Sequence, residues 1–172
     1  MLKILVEGVL YAYFCYICNI ICILFEIRLN VIVERPNYMD NENYINIDSV
    51  INHWIKTSDE DFDTMKFLFS SGRYNWALFL GHITIEKLLK AYFVKTMHKH
   101  SPPIHNLLRI AEKSGLDLSD EYSDWLDTIS LFNINARYDD YKREFYNQCT
   151  KEFAELWIFR IEKLRLWLKE KL

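Results

Sequence analysis

The chain has 172 residues and a mass of 20.8 kDa, enough for one domain with a hydrophobic core. A hydrophobic content of 51% excludes global disorder, and with only 4 glycines and 3 prolines the composition favours long helices over a many-turned all-β fold. The net charge of −3 and the pI near 6.0 exclude a general attraction to nucleic acid, so any contact with phosphates needs a local cluster of cations.

Residues 1–38 form an apolar N-terminal extension that differs from the rest of the chain. Gly8–Phe25 is a run of 18 residues without a charge, which reaches the lower limit for a helix that spans a bilayer. Three alternatives stay open: residues 5–27 form a membrane anchor, they add a helix that packs on the domain or a partner, or they precede the natural start of the working protein. Met39, just ahead of the domain, supports the last alternative, and we favour the last two alternatives taken together over the anchor.

The four cysteines predict no metal or redox centre. Cys15 and Cys18 have the C-x-x-C spacing, but a second ligand pair and a strand-to-helix context are both missing. Buried thiols that act as small hydrophobic groups explain the cysteines better, and they fit a reducing compartment. We therefore predict no cofactor and a cytoplasmic location, with a membrane-anchored domain facing the cytoplasm as the alternative.

A linker at residues 39–47 precedes a predicted helical bundle at residues 48–172. Asp48 or Ser49 can cap the first helix, which runs to Ser70 and ends in a glycine turn. Its apolar residues recur at intervals of three and four, as a buried helix face requires. They are Ile51, Trp54, Ile55, Phe62, Met65, Leu68 and Phe69, and Trp54 is interpreted as a core residue.

The second predicted helix, residues 74–98, is apolar on two sides, which is typical of a central helix or of a subunit contact. His82, Glu86 and Lys90 follow one another along it at a spacing of four residues. Glu86 and Lys90 have the favourable order for an exposed ion pair, which contributes about 0.2–0.5 kcal/mol. His82 is interpreted as a packing histidine satisfied by a carbonyl or hydroxyl group, with ligand binding as the alternative.

Pro102 and Pro103 end the second helix, and three further helices are predicted after them. These cover residues 106–113, a helix capped by Ser119, and residues 146–171, with a polar turn region "NINARYDDYKREF" before the last. The histidines around the two prolines lack a carboxylate between them, so a zinc site is disfavoured and His105 more simply fixes the start of the third helix. The predicted fold is all-α: an antiparallel up-and-down bundle of about five helices, plus the N-terminal apolar helix.

Several short motifs follow one another in a specific order between residues 48 and 168. They are Trp54, Asp61, "SSGRYNWALFLGHITIEKLLKAYF", "PPIHNLL" and "ARYDD". In this order they resemble the HEPN domain, a small helical bundle, and the segment Glu86–Ala91 is the most specific piece. The resemblance implies a homodimer and, in many members, a metal-independent ribonuclease toxin paired with a small nucleotidyltransferase antitoxin.

The resemblance also implies an active site made of an arginine followed four to six residues later by a histidine. Arg137 is followed here by "YDDYKREFYNQ", which contains no histidine. RNA cleavage by the 2′-hydroxyl needs a proton acceptor and a proton donor near neutral pH, and histidine is the natural choice. We therefore assign no catalytic residue and expect a binding module rather than an enzyme.

Six residues are candidates for binding a nucleotide or RNA: Arg137, Tyr138, Lys90, Lys87, His82 and Glu86. Arg137 can hold a phosphate through its planar guanidinium or can form a structural ion pair, and we expect it near Glu86 and Lys90. The expected partners are a second copy of the chain, a nucleotidyltransferase, a nucleotide or RNA. A ribonuclease toxin and a membrane-tethered interaction module are the alternatives.

Overall fold

A computed structural model describes residues 46–137 and 139–172, without the side chains of residues 137–142. This part of the chain contains six α-helices and no strand, which confirms the predicted all-α bundle. The helices are α1 (Ile47–Ser70), α2 (Tyr74–Met97), α3 (Leu107–Lys113), α4 (Asp120–Arg137), α5 (Asp139–Gln148) and α6 (Lys151–Lys171).

The apolar extension at residues 1–38 lies outside the described residues, and so does nearly all of the linker. The predicted N-terminal helix and the candidate span Gly8–Phe25 therefore stay predictions. Within residues 46–137 and 139–172, every helix is too short or too polar to cross a bilayer.

The bundle has one helix more than predicted, because the stretch expected as a polar turn region is largely helical. α4 continues to Arg137, α5 follows at once, and the last helix begins at Lys151 rather than at residue 146. The sequence of α5, "DDYKREFYNQ", is mostly charged and polar, which favours a turn, although its pattern is amphipathic at helical spacing and Phe145 is buried.

Short polar side chains define where the helices begin. Asn46 Oδ1 accepts a hydrogen bond from the backbone nitrogen of Ser49 at 3.0 Å, so Asn46 caps α1 in place of the predicted Asp48 or Ser49. Ser119 caps α4 as predicted, since its Oγ accepts a hydrogen bond from Tyr122 N at 3.3 Å. Gly72 adopts the expected left-handed conformation after α1, with φ +74°.

α2 is the central helix of the bundle, as its two apolar sides predict, and within the described residues it contacts each of the other five helices. α6 approaches it closely at Gly81, where an added Cβ would lie 2.5 Å from Ile161 Cδ1 and 3.1 Å from Met65 Sδ. This central position buries polar side chains of α2 together with the apolar ones. Such groups need hydrogen-bond partners inside the bundle.

α3 lies alongside the C-terminal half of α2 and begins next to α4. Leu107 N at its first turn donates a hydrogen bond to Ser130 Oγ of α4 at 2.9 Å. Past its other end, Ser114 O accepts a hydrogen bond from Thr96 Oγ1 of α2 at 3.2 Å. The loop after α2 therefore returns to the middle of that helix and delivers His105 there.

Candidate functional site

A single carboxylate, that of Glu86, gathers three basic side chains in the middle of the bundle. Glu86 Oε1 accepts a hydrogen bond from Lys90 Nζ at 2.7 Å, and Oε2 lies 2.9 Å from His82 Nε2. His105 Nδ1 lies 3.2 Å from both carboxylate oxygens. His82 and Lys90 come from adjacent turns of α2, whereas His105 comes from the loop before α3. We call these four residues the Glu86 cluster.

The Glu86 cluster extends from the protein interior to the solvent. The exposed fraction of the side chain is 0% for His82, 7% for Glu86 and 11% for Lys90. The ion pair that the sequence predicts on the surface is therefore buried, where an unpaired charge is costly. His105 is different, because 53% of its side chain is exposed. A ligand can therefore reach the cluster at His105.

Glu86 carries a negative charge inside the cluster. Burial alone would raise the pKa of Glu86, but hydrogen bonds from His105 and His82 and the charges of Lys90 and His82 hold that pKa well below its ordinary 4.5. Glu86 is therefore ionised at neutral pH. His82 Nδ1 lies 3.2 Å from Ile129 O, so the buried ring of His82 is held between a backbone carbonyl of α4 and the Glu86 carboxylate.

Lys87, a predicted binding residue, lies outside the Glu86 cluster. Its Nζ is 2.6 Å from Asp61 Oδ2 and donates a hydrogen bond to Thr57 O at 3.3 Å, both on α1. Burial raises the pKa of Asp61, and the lowering effect of Lys87 does not outweigh it. Since a neighbouring carboxylate already neutralises Lys87, this lysine joins α1 to α2 and adds little charge for a ligand.

Arg137 is the last residue of α4, and Tyr138 follows it. Both side chains lie outside the described part of the chain. The predicted binding role of these two residues and the predicted closeness of Arg137 to Glu86 and Lys90 therefore stay predictions. α4 itself does reach the cluster, through the contact of Ile129 O with His82.

Two residues that the sequence did not predict as binding residues lie at this site. Trp54, expected in the core, is only half-buried, and Lys90 Nζ lies 5.7 Å from the centroid of its ring. His105 was expected only to fix the start of the third helix. Both contacts join residues far apart in the chain, so local spacing carries no signal for them. The two prolines before His105, which force the chain to turn, were the one available indication.

The family of this chain follows from a match of the HEPN domain model to residues 51–172. The chain belongs to the HEPN family. Its structure is similar to the crystal structure of TT1696 from Thermus thermophilus, with a TM-score of 0.62 and 18% identity, over 71% of this chain and 98% of that one. At that identity the likeness shows the fold alone. None of the curated proteins matches the chain.

The HEPN domain carries a basic segment around His105, although the whole chain is acidic. His105 and Arg109 are both exposed there, four residues apart. Between residues 98 and 113 three cationic side chains stand against one acidic side chain: Lys99, Arg109 and Lys113 against Glu112. This segment therefore has a net positive charge within a chain of net negative charge, as a phosphate contact favours.

Metal and thiol chemistry find no support in the described part of this HEPN domain. Among residues 46–137 and 139–172, no group of three or more His, Cys, Asp or Glu side chains is placed to hold a metal ion. Cys149 is a buried free thiol, and burial raises its pKa to about 12. Because the thiolate is the reactive form, Cys149 is unreactive at neutral pH.

Proposed function

We propose that this HEPN domain binds a phosphate-bearing ligand, a nucleotide or RNA, at His105 and the Glu86 cluster. The observation that carries the proposal is a half-exposed histidine held at the solvent boundary by a buried carboxylate that also contacts Lys90 and His82. The exposed cations of the segment around His105, Lys99 and Arg109, supply positive charge for a phosphate at that boundary. Electrostatic attraction is stronger at a partly buried site than on an open surface.

Glu86 prepares His105 for this contact. The hydrogen bond from His105 Nδ1 to the carboxylate fixes the orientation of the ring and leaves Nε2 for a ligand. A side chain that is already held loses less conformational entropy on binding. Arg109, exposed nearby, and Arg137 are further candidates for phosphate contacts, and the guanidinium of each can form two parallel hydrogen bonds with a phosphate. Tyr138 stays a predicted contact of the nucleotide or RNA.

The proposal is tested by titrating the full chain into labelled single-stranded RNA and following fluorescence anisotropy, with mononucleotides as competitors. We expect affinity to fall as salt rises, because phosphate contacts release counterions. His105→Ala is expected to weaken binding about tenfold, which corresponds to about 1.4 kcal/mol. His100→Ala is the matched control, since it removes an exposed histidine from the same loop. Wild-type affinity in His105→Ala, or no binding by the wild-type chain, would contradict the proposal.

A second candidate function is ribonuclease activity, because His105 has the surroundings of an acid–base group although no histidine follows Arg137 in the sequence. An exposed imidazole whose other nitrogen is held by a buried carboxylate is the arrangement of an acid–base catalyst. In this reaction His105 takes the proton of the 2′-hydroxyl, O2′ bonds to phosphorus, and the bond from phosphorus to O5′ breaks. O5′ gains a proton from a general acid, and the products are a 2′,3′-cyclic phosphate and a 5′-hydroxyl.

The two functions are separated by incubating the full chain with RNA in the presence of EDTA and analysing the ends of the products. Cyclic phosphate ends that disappear in His105→Ala and persist in His100→Ala would support the ribonuclease. Arg137→Ala shows in the same assay whether the arginine of the family motif takes part. Intact RNA at concentrations where anisotropy reports binding would reject the ribonuclease and leave the binding function in place.

The expected protein partners, a second copy of the chain and a nucleotidyltransferase, also stay predictions. The proposed ligand contacts use side chains of one chain only. A sedimentation measurement on the full chain, alone and with RNA, tests whether a second copy takes part in binding.

A further inference from the structure

Trp54 connects the Glu86 cluster to α1 and to the protein surface. Successive contacts lead from its ring to Lys90 Nζ at 5.7 Å, from Lys90 to Glu86 at 2.7 Å, and from Glu86 to His105 at 3.2 Å. A partly exposed indole and an exposed imidazole therefore lie at the two ends of one polar cluster.

Trp54 differs from the most buried tryptophans of the same domain in its link to the Glu86 cluster. Trp125 and Trp157 are exposed by only 8% and 7% and contact other aromatic rings and the guanidinium of Arg160. Trp54 is half-buried, with the ring of His53 at its edge and Lys90 Nζ of the cluster over its ring. Part of the indole therefore meets the solvent beside a lysine of the candidate site.

We infer that Trp54 stacks against a base of the ligand while His105 contacts the phosphate. The inference rests on the proposed function. It adds that the domain binds the base of its ligand as well as the phosphate, so that the ligand is a mononucleotide or single-stranded RNA. Aromatic faces stack on any base, and the ammonium of Lys90 strengthens the site through its own attraction to the ring. Double-stranded RNA, whose bases are paired and stacked, does not offer a face to Trp54.

The inference is tested by competition with four ligands on the full chain: ribose 5-phosphate, nucleoside monophosphates, a single-stranded oligonucleotide and a duplex. We expect monophosphates to bind about tenfold more tightly than ribose 5-phosphate, because base stacking on an aromatic ring contributes on this scale. Trp54→Leu is expected to remove this difference and Trp54→Phe to retain most of it. Trp167→Leu is the matched control, because Trp167 is a half-buried tryptophan of α6, where its ring contacts Tyr122.

Each outcome decides the question. Equal binding of monophosphates and ribose 5-phosphate, both dependent on His105, overturns the stacking role and leaves the proposed function standing. An equal loss of both ligands in Trp54→Leu also overturns it, since it shows a structural role. No binding of any phosphate ligand removes the proposed function itself. A base preference that the wild-type chain and Trp167→Leu show and Trp54→Leu lacks supports the inference, with a nucleotide as the ligand if the oligonucleotide adds no affinity and RNA if it does. A base preference that persists in Trp54→Leu overturns it. If Trp54→Leu fails to fold, equal binding of the two ligands by the wild-type chain still overturns the inference.

Discussion

Glu86 and Asp59 are both carboxylates surrounded by cations, but the first is buried and the second is open to solvent. Asp59 on α1 accepts hydrogen bonds from Arg165 at 2.6 Å and from Lys169 at 2.8 Å, both on α6. The exposed fraction of its side chain is 40%, against 7% for Glu86. The same chemistry thus occurs in two very different environments of one small domain.

The comparison shows that a lowered pKa does not by itself identify a functional site. Burial raises the pKa of Asp59, but the hydrogen bonds and charges of Lys169 and Arg165 lower it by more. The pKa of Asp59 is therefore lowered overall, as is that of Glu86. The difference lies in the surroundings of the two carboxylates. At Asp59 water screens the charges, whereas the Glu86 carboxylate is buried and a half-exposed histidine connects it to solvent.

The largest expected difference between the two carboxylates is in stability. Glu86→Gln keeps the size of the side chain but leaves Lys90 and His82 buried without a negative partner. We expect a loss of about 3–5 kcal/mol in the free energy of unfolding, because removing one member of a buried ion pair strands the other. Asp59→Asn is the matched variant, with an expected loss below about 1 kcal/mol. Urea unfolding at neutral pH measures both.

A double variant controls for packing effects of the new amide. Glu86→Gln combined with Lys90→Met removes both charges, so its cost is expected to be less than the sum of the costs of the two single variants. Equal costs for Glu86→Gln and Asp59→Asn would show that the Glu86 cluster is as well solvated as a surface pair.

The sequence predicted the main helices because their apolar residues recur at helical intervals. α1, α2 and α3 begin and end within a few residues of the prediction, since prolines, glycines and short polar caps mark their ends. α5 was missed because its residues are mostly charged or polar, and tertiary packing of Phe145 against Phe132 of α4 holds it in place. Its amphipathic pattern at helical spacing was outweighed by its high content of charged residues and its length of only 10 residues.

The candidate site was predictable only in part. The spacing of His82, Glu86 and Lys90 placed them on one ridge of α2, because that relation is local. Their burial was not predictable, since it depends on how α1, α3 and α4 cover that ridge. His105 and Trp54 reach the cluster through contacts between distant parts of the chain, which a single sequence does not encode in any readable pattern.

The next comparison follows the stability of the wild type and of Glu86→Gln as the pH falls. The pKa of Glu86 is lower in the folded chain than its ordinary 4.5, so the unfolded chain binds more protons in that range. The stability that Glu86 contributes is therefore complete above about pH 4.5 and is lost as the pH falls toward the folded-state pKa. We expect the gap in unfolding free energy between the wild type and Glu86→Gln to narrow below about pH 4.5, as urea titrations from about pH 7 to about pH 3 would measure. A constant gap would mean that the Glu86 carboxylate titrates alike in both states.

The smallest expected effect is the change that salt causes in the stability costs of Asp59→Asn and Glu86→Gln. At about 1 M NaCl the screening length is about 3 Å, so the exposed bonds of Asp59 with Arg165 and Lys169 contribute almost nothing. The cost of Asp59→Asn, already below about 1 kcal/mol, is then expected to vanish, whereas Glu86→Gln keeps most of its cost because salt does not enter the buried cluster. Urea unfolding of both variants at about 0.05 M and about 1 M NaCl measures the difference. If salt reduces both costs in the same proportion, solvent reaches Glu86 as freely as Asp59, and the Glu86 cluster is not the buried site on which the proposed function depends.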